Sequence, residues 1–171
     1  ESNNKKLPLI IKGSKFLKPI KYEENLGSAQ CKSVVMLAAL KTDGKTKLRC
    51  LPSRNHTELI FKNVLRIPIK IKKQKKYELI EVIGLKEFNS FNYKIPGDIS
   101  SASFFIVLTL LSKNKSLIIK NININPSRTG IIKILNIMGA QIKFLNKKKY
   151  KGEDVSDIFV KSNNKLNSIN L

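Results

Sequence analysis

Apolar residues recur along the chain with two different periods, and each change of period marks a new element. Alternation predicts strands over Leu7–Ile11 and Leu17–Tyr22, after which an apolar helical stretch runs from Ser28 to Leu40. Asp43-Gly44 supplies a turn. Next come an alternating strand, Lys47–Leu51, a helix over Asn55–Leu65, and two strands, Ile67–Ile71 and Tyr77–Val82, joined by the basic turn Lys72–Lys76. This order is one βαβαββ unit. The second half follows the same course: strand Phe91–Ile95, helix Ile99–Leu111, strand Leu117–Ile122, helix Thr129–Met138, then strands Gln141–Leu145 and Asp157–Lys161.

The repeat is also literal. Pro52-Ser53-Arg54 returns as Pro126-Ser127-Arg128, an offset of 74 residues from Arg54 to Arg128, and each triplet opens a predicted helix. At the same offset Leu48 and Cys50 fall on Ile122 and Ile124. Two copies of one α/β unit, each burying a sheet face beneath amphipathic helices, are the expected architecture. The chain has neither GxGxxG nor GxxxxGK[ST], so the common glycine-rich phosphate loops are absent.

Composition narrows the function classes. A chain of 171 residues with 42% apolar residues can furnish a real core. It opens Glu1-Ser2-Asn3-Asn4, without an initiator Met or a charged-then-apolar leader, so an internal piece of a longer protein is expected. The longest apolar run, Phe104 to Leu111 broken at Thr109, falls well short of the roughly 20 residues that cross a bilayer. Cys31 and Cys50 have no CxxC partner or nearby histidine, and His56 is the single histidine. Reduced core thiols and no metal are therefore expected. The formal charge of +21 suggests an anionic partner, yet it comes almost entirely from Lys in a chain crowded with Asn and Ile. Arginine occurs only at Arg49, Arg54, Arg66 and Arg128, which makes each of them more informative than any one lysine.

Candidate chemistry gathers at helix starts. Gly27-Ser28-Ala29-Gln30 enters the first long helix, where unpaired backbone N–H groups and the positive dipole end favour an anion. Ser28 and Gln30 add a hydroxyl and an amide suited to phosphate or sugar-like hydroxyls. Alternatively, Ser28 is simply the N-cap. Asn55 and Glu58 have capping-box spacing. That does not explain Arg54, a cation at the positive end of a helix, which is unfavourable there unless an anion lies close. Its planar fork matches a phosphate or carboxylate. Arg128 raises the same question, although Pro126-Ser127 there is also a plain helix start. Asp98 stands where an N-cap is expected, and His56 suits hydrogen bonding at a helix end more than base catalysis. No Ser/His/Asp arrangement, carboxylate pair or activated cysteine assembles, so binding rather than catalysis is the expected chemistry.

Together these segments resemble the EPSP synthase family, and in particular its bacterial class. The motifs are Ser28-Ala29-Gln30-Cys31-Lys32-Ser33-Val34, Pro52 to Glu58, Ile95 to Phe105, Asn125-Pro126-Ser127-Arg128-Thr129-Gly130 and Met138-Gly139-Ala140. The resemblance runs from Leu7-Pro8-Leu9-Ile10 to the terminal strands and departs at Val34, Asn55 and the lysine-rich connection from Ile69 to Lys76. It implies the enolpyruvyl transferase fold, an inside-out α/β barrel of repeated βαβαββ units. Two units are present here, with residues 1–95 ending one domain and 96–171 beginning the next. The implied reaction moves the enolpyruvyl group of phosphoenolpyruvate to the 5-hydroxyl of shikimate 3-phosphate, through a tetrahedral ketal, with release of phosphate.

Carried over by position, Ser28, Ala29, Gln30 and Arg54 would contact shikimate 3-phosphate, and Gln30 would also approach phosphoenolpyruvate. Asp98 and Arg128 would be structural or hinge residues. The family's catalytic residues have no counterpart in the chain, so a fragment inactive alone is expected, from a cytoplasmic enzyme that is monomeric when complete. Neither cofactor, metal, nucleic acid nor membrane enters that reading. UDP-N-acetylglucosamine enolpyruvyl transferase, which shares the repeated unit, and a basic nucleic-acid-binding module are the alternatives. The Ser53-Arg54-Asn55-His56-Thr57-Glu58 run disfavours the first, and the lack of an aromatic-rich strand for base stacking disfavours the second.

Overall fold

The computed structural model describes residues 8–85, 87, 89–163 and 165–170. Its elements are β1 (Lys21–Glu24), α1 (Ala29–Ala39), β2 (Lys45–Cys50), α2 (His56–Asn63), β3 (Ile69–Lys73), β4 (Glu78–Ile83), α3 (Ile99–Leu111), β5 (Ser116–Asn123), α4 (Gly130–Ile137), β6 (Gln141–Tyr150) and β7 (Glu153–Lys161). They form two compact units. One holds β1, α1, β2, β3 and β4, and the other holds α3, β5, α4, β6 and β7 together with α2.

The first unit is a four-stranded sheet in the order β1-β2-β4-β3. Strand β1 runs parallel to β2, whereas β4 is antiparallel to both β2 and β3. Alternation in β2 sends Thr46, Leu48 and Cys50 inward, and in β4 Glu78, Ile80 and Val82, onto which α1 lays Met36 and Ala39. Leu48 faces Ile80, and both are buried. On the outer face Lys45 and Lys47 reach Glu81 at 3.4 and 3.6 Å, and Arg49 pairs with Glu23 and stacks on Tyr77. Part of the positive charge is therefore spent on the sheet surface.

The second sheet has the order β5-β7-β6, both pairings antiparallel, which matches β2-β4-β3 of the first. Its core joins Ile99, Ala102, Ile106 and Leu110 of α3 to Ile122, Ile132, Leu135, Ile158 and Val160. The element that matches β1 shrinks to one parallel bridge, Gly97 to Ile122, closed by Gly97 N to Asn121 O and Asn123 N to Gly97 O. The predicted strand Phe91–Ile95 does not form. Pro96 has no N–H to donate, Lys94 N donates to the Tyr150 hydroxyl, and the Asn92 carbonyl accepts from Lys151 Nζ, so side chains satisfy this backbone instead of a ladder.

Near the start of the chain the pattern also over-predicts. Leu7 lies outside the described residues, and 8–16 carry no strand, with Leu9, Ile10, Ile11 and Phe16 exposed. Leu17 keeps only an isolated bridge to Thr42 before Pro19 interrupts, and the ladder begins at Lys21. The helices agree with expectation within a residue or two, α3 at both ends.

Close approach fixes the turn after β4. A Cβ on Gly84 would meet the carbonyl oxygens of Thr42, Ala39 and Leu40, whereas one on Gly130, the first residue of α4, would meet nothing. Gly84→Ala should therefore destabilise the protein by about 1–3 kcal/mol, while Gly130→Ala should be neutral or stabilising by up to ~1 kcal/mol. Denaturant unfolding of the two variants checks the contrast, and equal midpoints would contradict it.

Candidate functional site

Two clusters of polar groups stand out, one in each unit. In the first, β1 ends at Glu24 and the chain crosses residues 25–27 before α1, with Gly27 at φ +66°, a left-handed conformation that suits glycine. This loop exposes three consecutive amides, and Glu24 gathers them all. Leu26 N and Ser28 N donate to Oε1 at 2.8 and 3.0 Å, and Gly27 N donates to Oε2 at 3.0 Å. Glu24 is 3% exposed, and concave sets of amides are anion sites that a buried carboxylate can fill. Ser28 is the N-cap of α1, in extended backbone, and accepts from Cys31 N at 3.2 Å. Ala29 and Gln30 form the first helical turn, Ala29 half-buried and Gln30 exposed. A ligand anion would thus meet the end of the helix itself, because the loop amides before it are already committed to Glu24.

The second cluster is centred on Glu153, at the start of β7 and 3% exposed. His56 Nδ1, at the first residue of α2, donates to Oε1 at 2.6 Å. Asn123 and Asn125 donate their Nδ2 groups to Oε2 at 3.0 and 3.4 Å. Burial pushes the Glu153 carboxyl up, but the hydrogen bonds from His56 and Asn123, the charge of His56 and the bond from Asn125 outweigh it, holding the group below its ordinary value of 4.5. Beside it lies a cavity of about 440 Å³ lined mainly by apolar and aromatic side chains, among them Ile60, Phe91, Tyr93 and Ile99. Burial and the nearby Glu153 charge raise the Tyr93 hydroxyl above its usual value.

The sequence-derived candidates divide between the two units. Ser28, Ala29 and Gln30 share the α1 terminus. Arg54 is half-buried and immediately precedes Asn55, the N-cap of α2. The expected capping box at Asn55 and Glu58 is not built: Asn55 makes no side-chain cap bond, and its Oδ1 accepts from Asn125 Nδ2 at 2.8 Å instead. Asp98 occupies the N-cap of α3 but likewise makes no side-chain cap bond. Its Oδ1 takes Arg128 Nη2 at 2.5 Å, and that nitrogen also donates to Ser100 Oγ at 2.7 Å. A guanidinium outcompetes a backbone amide for the carboxylate because both partners are charged.

Neither Glu24 nor Glu153 stood out in the sequence. Glu24 carried a weak local signal, an acid two to four residues before the loop amides. Glu153 carried none, since His56 is 97 positions away. Among the described residues no group of His, Cys, Asp and Glu is arranged to hold a metal ion, and no helix is long and apolar enough to cross a membrane.

Comparison with known proteins adds a consistent set of relatives. A family model described as EPSP synthase (3-phosphoshikimate 1-carboxyvinyltransferase) matches residues 1–171. A 3-phosphoshikimate 1-carboxyvinyltransferase of Petrotoga mobilis is 42% identical over 162 residues, which is 94% of this chain and 36% of that protein. One from Thermodesulfovibrio yellowstonii is 41% identical over 171 residues, covering 99% of this chain and 39% of its own. Among solved structures, an EPSP synthase from Acinetobacter baumannii superimposes with a TM-score of 0.76 at 34% identity, covering 90% of this chain and 34% of that one. The chain thus spans little more than a third of the length of these relatives.

The Glu153 cluster has a pH signature. A carboxyl whose folded pKa is lowered stabilises the fold above its unfolded pKa, and that contribution is lost as pH falls through the folded value. The stability gap between the protein and its Glu153→Gln variant should therefore be full above 4.5, the ordinary value, and close on acidification below it. Urea unfolding across that range checks this, and a gap that does not change with pH would contradict it.

Proposed function

The chain belongs to the EPSP synthase family, and from that premise we propose that it forms the central part of an enzyme that transfers the enolpyruvyl group of phosphoenolpyruvate to the 5-hydroxyl of shikimate 3-phosphate. Phosphate is released, and addition followed by elimination passes through a tetrahedral ketal. The single observation that supports this most is the α1 terminus, where Ser28 caps a helix whose first turn, Ala29 and Gln30, presents its dipole end to an anion. Arg54 supports the reading from the other unit, since a guanidinium just before a helix N-cap is favourable when a phosphate lies beside it.

In this reading Ser28, Ala29, Gln30 and Arg54 bind shikimate 3-phosphate, and Gln30 also reaches phosphoenolpyruvate. The groups that move protons in the reaction come from other parts of the complete polypeptide. Asp98 and Arg128 hold each other and serve the fold. One domain closes near residue 95 and the next opens at 96. The solvent-facing side of α3 supports the placement within a longer chain: Phe104, Phe105, Leu108 and Leu111 are all exposed on a helix that is apolar all round, a pattern suited to cover on both sides. The complete enzyme would act as a cytoplasmic monomer without metal, cofactor or nucleic acid.

The complete polypeptide should release phosphate from phosphoenolpyruvate only when shikimate 3-phosphate is supplied. UDP-N-acetylglucosamine accepted in its place would assign the related transferase instead. Gln30→Ala and Arg54→Ala should each weaken shikimate 3-phosphate binding by about 1.5–3 kcal/mol, the usual loss for a hydrogen bond to a charged group. Calorimetric titration measures this, and unchanged affinity would remove both assignments.

A further inference from the structure

Arg54 immediately precedes Asn55, the N-cap of α2, and Asn55 makes no side-chain cap bond. Asn55 and His56 are instead held by the second unit's polar cluster around Glu153. Asn125 Oδ1 accepts from Ser127 N and Ser127 Oγ at 3.0 and 2.8 Å, which leaves its NH₂ group to face Asn55 Oδ1 and the Glu153 carboxylate. Asn125 N donates to Asn123 Oδ1, and Asn123 Nδ2 returns to Glu153. Asn125 and Glu153 are 5% and 3% exposed. A carboxylate so deeply buried is costly unless its oxygens are saturated, and the donors that saturate it come from β5, from the loop after it, and from α2. The arrangement therefore has one favourable geometry for residues 55 and 56.

We propose that Glu153, acting with Asn125 through Asn55 and His56, is a positioning residue that aims Arg54 at shikimate 3-phosphate. The proposal rests on the reading of Arg54 as a contact of that ligand. It makes a prediction of distinctive sign. Removing a carboxylate from the neighbourhood of an anion site would, on charge alone, tighten anion binding. Loss of positioning weakens it.

The test is a double-mutant cycle in the complete enzyme, with calorimetric affinity for shikimate 3-phosphate and steady-state kinetics as readouts. Glu153→Ala should weaken shikimate 3-phosphate binding about tenfold, while the KM for phosphoenolpyruvate and kcat stay within about twofold. In an Arg54→Ala background the same substitution should cost nothing further, because the group it aims is gone. Equal losses with and without Arg54, or tighter binding, would overturn the proposal. Should Glu153→Ala fail to fold, Asn55→Ala decides, because it removes only the acceptor through which Asn125 holds the residue next to Arg54. A loss of affinity that vanishes without Arg54 supports the proposal, and unchanged affinity overturns it. If Arg54→Ala alone leaves the affinity unchanged, the ligand assignment of Arg54 has failed, and the positioning role falls with it; that outcome is distinct from additive losses, which leave the assignment standing.

Discussion

The structure of the second unit depends on one buried carboxylate. Glu153 is almost wholly removed from water, and such a group is stable as an anion only when donors surround it. Three side chains supply them, from α2, β5 and the loop after β5. Satisfying the charge thus requires segments far apart in sequence to take fixed positions, and it ties a helix that lies between β2 and β3 in chain order to the sheet of β5, β6 and β7. Hydrogen bonding here determines geometry more than it adds stability, since the roughly 1.5–3 kcal/mol from each bond to the charged group is offset by the cost of burying that charge.

The two copies of the repeat solve the same problem differently. In the second, the bridging residue Gly97 is followed at once by the α3 N-cap, Asp98, which pairs with Arg128 at the start of the next helix. In the first, residues 25–27 intervene between β1 and the α1 N-cap, and the amides of residues 26–28 need an acceptor. Glu24 becomes that acceptor and is thereby spent on the backbone. The arginine that matches Arg128 is Arg54, so one copy uses its helix-start arginine inside the fold, while the other copy's acid at the strand end is committed elsewhere. Divergence of this kind lets a duplicated unit keep its topology and change what its helix termini can bind.

Much of this was legible in the sequence, and for physical reasons. The four helices and most of the strands followed from apolar periodicity, which burial enforces, and the duplicated Pro-Ser-Arg triplet located the repeat. The Ser28 cap was legible because capping is local. Errors came where tertiary context overrode a local rule. Phe91–Ile95 alternates like a strand but finds Tyr150 and Lys151 side chains rather than a ladder. Asn55 and Asp98 have capping chemistry but find stronger partners in Asn125 and Arg128. Glu153 was invisible because its meaning lies entirely in contacts with residues distant in the chain.

We propose that Ser28, Gln30 and Arg54 each contact shikimate 3-phosphate. The most direct measurement is a crystal structure of the complete polypeptide with shikimate 3-phosphate bound. Hydrogen bonds from both the Ser28–Gln30 turn and the Arg54 guanidinium to that one molecule are the predicted result. A ligand held by one terminus, with the other turned toward solvent, would contradict it.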